Sequence, residues 1–259
     1  MFTDMKIFAI EASGPVAACA LLDGETLVAE YSVQFQKKHS QSLVPMMAAV
    51  RDLVGLDLKE IDAIAITEGP GSFTGLRIGA ATAKGLGLAI ERPILPVPTV
   101  DAIACNMWGA RGLVCPMMDA RRQQVYTGIY RFPVGGGEQA APTGGMEILY
   151  PQCVTDLEVI LDKVMEIAAE TGETEVTLLG DGVPVYGARA MEILDGKLTC
   201  RFAPPHMSRQ RAAATAVRAA QIYAEQGASC LVPADDFRPV YLRLSQAEQE
   251  HSERRDYRI

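Results

Sequence analysis

The stretch Glu68-Gly69-Pro70-Gly71-Ser72-Phe73-Thr74-Gly75-Leu76-Arg77-Ile78-Gly79 reads as strand, turn and helix in direct succession. The apolar run before it, residues 61–67, carries the β-branched residues of a buried strand, and residues 76–90 after it permit a helix. Gly69, Gly71 and Gly75 let the backbone take positive φ and approach another group closely, while Pro70 stiffens the turn. Such a turn presents N–H groups at a helix N-terminus, where the macrodipole favours an anion. A phosphate or an acidic partner is the functional expectation. The competing expectation is a tight strand-to-helix turn that binds nothing. No Gly-Lys-Ser/Thr follows, so this is not a Walker loop, and the spacing is not the dinucleotide Gly-x-Gly-x-x-Gly.

Upstream, residues 6–11 and 16–22 form apolar strands around an Ala12-Ser13-Gly14-Pro15 turn, and Asp23-Gly24 signals a hairpin into a third strand, 26–35. Residues 39–54 place Leu43, Met46, Met47, Val50, Leu53 and Val54 at helical spacing, with Ser40 and Ser42 available as caps. Downstream, 94–97 is a short strand and 100–108 a helix. The β-β-β-α-β-α-β order is that of an actin-like or sugar-kinase-like lobe, and the second half repeats it. Strands are expected at 113–118, 125–132, 147–151 and 176–179, and helices at 156–171, 187–194 and 209–226. The predicted division is a first lobe over 1–108, a second over 109–245 whose last helix is free to pack back on the first, and a polar tail over 246–259. Two such lobes enclose a cleft. The glycine-rich segment from Gly135 to Gly145 reads as a loop.

A formal charge of −8 opposes a direct nucleic-acid surface, which needs clustered Lys and Arg, so any contact with RNA is expected only through a partner. Six cysteines without a Cys-x-x-Cys pair and three scattered histidines indicate neither zinc nor a disulfide framework. The most apolar helix, 76–90, carries Arg77 and Lys84 and is too short to cross a bilayer, which makes a reducing cytoplasm the expectation.

Several constellations carry a chemical and a plain expectation side by side. His39 opens a helix with no carboxylate predicted near it, which favours a cap or packing role over a base. Ser13 and Ser72 stand near glycines, yet no Gly-x-Ser-x-Gly elbow or histidine base supports a nucleophile. Asp119-Ala120-Arg121-Arg122 ends a strand at the cleft and suits either a ligand or a structural ion pair. The candidate nucleotide or anion contacts are therefore Ser13, Gly69, Gly71, Ser72, Thr74, Gly75 and Arg121. A free-standing kinase or ATPase of this fold is the alternative function, with Glu11, Glu68 and Asp181 as its acidic groups. Finally, Gly79, Ala83 and Gly87 form a small-residue strip down the helix 76–90. With Leu76 and with Leu43, Met46, Met47, Val50 and Val54, this strip is the expected partner surface, against burial on the chain's own sheet.

In chain order, Ile10-Glu11-Ala12-Ser13, His39-Ser40, Leu43-Val44-Pro45, the run Gly69–Gly79, Lys84-Gly85-Leu86, Asp119-Ala120-Arg121-Arg122 with Val125-Tyr126, and Pro239-Val240-Tyr241-Leu242-Arg243 resemble the TsaB (YeaZ-like) family. Glu11 departs from the Asp of many relatives. The resemblance implies an α/β, ASKHA (actin-like ATPase/sugar kinase) fold of two ribonuclease-H-like lobes with mixed sheets flanked by helices. It further implies a non-catalytic dimerisation subunit that pairs with TsaD, recruits the TsaE ATPase and forms homodimers. The reaction served is threonylcarbamoyl transfer to the adenosine next to the anticodon. No resident cofactor or metal is implied, only ATP or ADP at the interface with partners. The catalytic paralogue carries two metal-binding histidines on the helix after the strand matching 94–97, and here the matching positions are Thr99 and Ile103.

Overall fold

The structure is a computed structural model that describes residues 4–35, 39–133 and 145–243. The glycine loop from Gly135 to Gly144 and the tail 246–259 lie outside them. The first lobe runs β1 (Lys6–Glu11), β2 (Ala17–Asp23), β3 (Thr26–Val33), α1 (His39–Val54), β4 (Ala63–Gly69), α2 (Phe73–Ile90), β5 (Ile94–Pro98) and α3 (Thr99–Cys105). The second runs β6 (Leu113–Asp119), β7 (Gln124–Arg131), β8 (Glu147–Asp156), α4 (Leu157–Thr171), β9 (Glu175–Leu179), α5 (Val183–Leu194) and β10 (Thr199–Phe202). The helix α6 (Ala212–Gln226) follows.

The two sheets have one topology. Their orders are β3-β2-β1-β4-β5 and β10-β9-β6-β7-β8, so in each lobe the first three strands are antiparallel and the next two add in parallel beside the first. This is the duplicated ASKHA architecture, α/β throughout. The hairpin expected at Asp23-Gly24 forms with Gly24 and Glu25 as its two loop residues, between Asp23 and its partner Thr26. Two strands depart from expectation. β8 continues five residues past Pro151, because it is the edge of its sheet and an edge position does not require the missing N–H. β10 is a four-residue edge strand that no alternation announces.

Helices cover both faces of the first sheet. Leu43, Met46 and Val50 of α1 and Ala80 and Ala83 of α2 pack on Phe8, Ile10, Ile64 and Ile66. On the other face α6 sets Ala212, Ala216, Ala219 and Ala220 against Ile7, Ala9, Ala65, Leu95 and Val97, small side chains that let the helix lie close to the sheet. α6 thus packs on the first lobe although it follows the second. The second sheet packs Leu157, Ile160, Leu161 and Val164 of α4. α3 joins the lobes: its Val100, Ile103 and Ala104 share a core with Val114, Met118, Tyr130 and Leu179 of the second sheet.

This packing corrects the expected partner surface. Leu43, Met46, Val50, Leu76, Gly79, Ala83 and Gly87 are all buried within the chain's own first lobe. A Cβ at Gly79 would lie 3.2 Å from both Ala12 Cβ and Ile66 Cδ1, and one at Gly87 would lie 2.8 Å from Ala234 Cβ. The small-residue strip therefore lets α2 close on its own sheet. Apolar periodicity finds the face that folding buries, at about 1.5–3 kcal/mol for each large side chain. Only Met47 and Val54 of the expected set keep part of their surface outside.

Candidate functional site

The glycine run is built to admit other parts of the chain. Gly69 ends β4 with φ 133°, and a Cβ there would overlap the Val240 carbonyl; at Gly71 it would overlap Ser13 O, and at Gly75 Ala12 O. Ser72 caps α2, its Oγ accepting from Gly75 N–H at 3.3 Å. The Ser72 N–H in turn donates to Ser13 O at 2.7 Å. The two turns that would flank a phosphate are thus hydrogen-bonded to one another.

Between the lobes lies a cleft of about 850 Å³. Ser13, Gly71, Ser72, Thr74 and Arg121 line it together, joined by Asp119, Arg122, Tyr126, Asp181 and Arg243; Gly69 and Gly75 do not line it and serve packing instead. Behind Ser13, Glu11, 1% exposed, accepts from Ser13 N–H at 2.6 Å and Ser13 Oγ at 2.5 Å. Burial pushes its carboxyl above the ordinary range, and the Ser13 bonds oppose that shift. Across the cleft, Asp119 Oδ1 accepts from Arg121 N–H at 2.8 Å and from Tyr186 Oη at 3.0 Å, and its other oxygen pairs with the Arg121 guanidinium at 3.1 Å. Burial and then Asp119 push the Tyr186 hydroxyl up to about 12. Asp181 also sits high through burial, and its Oδ1 has no partner among the described residues. His39 Nε2 donates to Gly14 O at 2.8 Å, a packing role that ties α1 to the first turn.

The wall that sequence reasoning missed is the segment 232–243. It bridges β5 through Ile94 and Val232, donates from Val240 N–H to Glu68 O at 2.7 Å, stacks Tyr241 on Phe73 at 5.0 Å and ends with Arg243 on Ala120 O at 2.5 Å. In sequence it showed as the motif Pro239-Val240-Tyr241-Leu242-Arg243 and an apolar run with Arg238 and Arg243 interspersed, neither of which placed it at the cleft.

On the far side of the first lobe α1 and α2 lie side by side. Val44, Leu53 and Leu88 are 59%, 85% and 57% exposed, and Met47, Ile78 and Leu86 are half-buried between them. Nothing stands within 4 Å of the place where a Gly85 side chain would begin. Among the described residues, no group of three or more His, Cys, Asp or Glu is placed to hold a metal, and no helix is long and apolar enough to cross a membrane.

Compared with known proteins, residues 33–250 match the family described as TsaD, tRNA N6-adenosine threonylcarbamoyltransferase. The chain belongs to that family. Similar curated members are named tRNA threonylcarbamoyladenosine biosynthesis protein TsaB. The one from Bacillus subtilis is 37% identical over 138 residues, 53% of this chain and 60% of that protein. The Escherichia coli one is 33% identical over 151 residues, 56% of this chain and 65% of that protein. The matches therefore span less than two thirds of either relative's length. A Pseudomonas aeruginosa structure described as similar to the peptidase YEAZ superposes with a TM-score of 0.70 at 24% identity, covering 92% of this chain and 100% of that one. It shares the fold. Within the TsaD family framework, the positions Thr99 and Ile103 are 0% and 1% exposed and packed inside, with neither side chain an imidazole ligand. Beside them Asp101 accepts from Tyr130 Oη at 2.8 Å and pairs with Arg218 at 3.4 Å; burial raises its pKa against the Arg218 charge.

Proposed function

We propose that this chain is a non-catalytic pairing subunit for threonylcarbamoyl transfer to the adenosine next to the anticodon of ANN-decoding tRNAs. In this role it docks TsaD through the outer face of α1 and α2, helps recruit the TsaE ATPase, and forms a homodimer through the same face when TsaD is absent. The observation that carries the proposal is that face: two adjacent helices with exposed Val44 and Leu88 and an unobstructed Gly85. A helix pair of this kind suits close packing against a second pair. tRNA then meets the complex rather than this acidic chain alone, in the cytoplasm, and ATP or ADP belongs to the interface with partners.

A free-standing kinase is less well supported. Glu11 is already engaged by Ser13, and of the two first-lobe turns offered as anion contacts the Ser72 N–H is already given to Ser13 O. Reconstitution tests the proposal: purified chain alone is expected to leave tRNA unmodified, while adding it to TsaD, TsaE and activated threonylcarbamoyl donor raises the modification rate. Turnover by the chain alone, or no gain on adding it, contradicts it.

A further inference from the structure

We infer that residues 232–243 form a latch that sets the width of the interlobe cleft, with Arg243 as its catch. On one side the lobes are joined by a shared core and by hydrogen bonds. α3 shares a core with the second sheet, and Gln152 of β8 reaches across, its Nε2 donating to Gly69 O at 3.3 Å and its Oε1 accepting from Val100 N–H at 3.3 Å. At the opposite side, the mouth, the arrangement is different. The segment leaves β5 at Val232, seats Ala234 against Gly87, buries Phe237 in the first core, and is held by Lys84 Nζ on Asp235 O at 2.8 Å and by Val240 on Glu68. Two glycines, Gly69 and Gly87, are notches for it. It then crosses to the second lobe, where Arg243 Nη1 donates to Ala120 O.

The turn that Arg243 catches is strained. Arg121, Arg122 and Gln123 have φ of 65°, 53° and 64°, three successive side-chain-bearing residues in the left-handed region. Such backbone persists only where its surroundings hold it. Within the turn Ala120 N–H donates to Gln124 O and Gln124 N–H to Arg121 O, each at 3.0 Å, and Asp119 takes both the Arg121 N–H and its guanidinium. A charge-assisted bond from the segment to the first residue of this turn thus joins the first lobe to the least relaxed backbone of the second. Releasing it frees the turn and the cleft wall together.

Hydrogen exchange and limited trypsinolysis of the full chain test this. In Arg243→Ala the Ala120 and Gln124 amides are expected to exchange roughly tenfold faster, the scale of one charge-assisted hydrogen bond, with faster cleavage after Arg121 and Arg122. Arg243→Lys is expected to recover part of the protection. Arg238→Ala, whose guanidinium among the described residues bonds to Asp235 O and Phe237 O, is expected to leave the turn at the wild-type rate. Tyr241→Ala, which loosens the segment from Phe73 with Arg243 intact, provides the same readout should Arg243→Ala fold poorly. Unchanged exchange at Ala120 and Gln124 in a folded Arg243→Ala or Tyr241→Ala protein, or an equal effect from Arg238→Ala, overturns the latch.

Discussion

The helix pairs α1/α2 and α4/α5 occupy corresponding places on two sheets of the same strand order, yet their outer faces differ in chemistry. On α4/α5, Arg189 pairs with Glu158 at 3.6 Å and with Glu192 at 3.2 Å, and Lys163 with Glu166 at 2.7 Å; the exposed Val159, Val185 and Met191 are interleaved with these charges. On α1/α2 the ion pairs among the described residues are Arg51 with Asp52, near one end of α1, and Lys84 with Asp235 at 3.9 Å, while Val44, Met47, Ile78, Ala81, Gly85 and Leu88 carry no charge. A duplicated lobe has no folding reason to leave one copy's helices less charged outside. A face prepared for another protein is such a reason.

The largest expected effect separates the inside of α2 from its outside. Ala83→Glu places a carboxylate at a position 0% exposed, against the first core. It is expected to cost several kcal/mol and to abolish the cooperative melt by circular dichroism. A protein that melts normally would return Ala83 to the outer surface.

A smaller effect sharpens the comparison between the lobes at the ends of their first strands. Glu11 and Asp119 close β1 and β6, and each carboxylate accepts from the N–H two residues on. Glu11 is the more deeply enclosed, and its raised pKa fixes the sign of its linkage. The folded state holds the proton at pH values where the unfolded chain has lost it, so this group's contribution falls as pH rises from the ordinary carboxylate range through the folded pKa. Glu11→Gln retains an oxygen for the Ser13 N–H and removes the charge. At pH 7.5 it is expected to raise the melting temperature by roughly 2–4 °C, the effect of about 1 kcal/mol in a chain of this size, and the gain should shrink as the pH is lowered. A lower melting temperature at pH 7.5 would mean that Glu11 is compensated by its partners.

Much of this fold was legible because local signals agreed with it. The span of α1, the Asp23-Gly24 hairpin and the strand-turn-helix at Gly69 all follow from periodicity and turn chemistry. β10 was not legible: four residues at an edge carry no alternation that a loop could not also show. The cleft was legible in part, since Ser72 and Arg121 lie about fifty residues apart in sequence and meet only when the lobes stack. The proposed partner face differs from the expected one for a general reason. The strongest apolar stripe on a helix marks the sheet it packs on, so Leu43, Met46 and Val50 pointed inward, and the outer face, Val44, Ala81 and Gly85, is weaker and shows only once the inner one is spoken for.

The most direct measurement is a titration of TsaD with two folded variants, Gly85→Glu on the outer face of α2 and Arg189→Ala on α5. Both positions are exposed, and each change is expected to stay within about 0.5 kcal/mol of wild-type stability. Gly85→Glu is expected to weaken TsaD binding by at least about tenfold, roughly 1.4 kcal/mol, and Arg189→Ala to leave it unchanged. Wild-type affinity in folded Gly85→Glu, or a loss confined to Arg189→Ala, would contradict the assignment of the partner face to the first lobe.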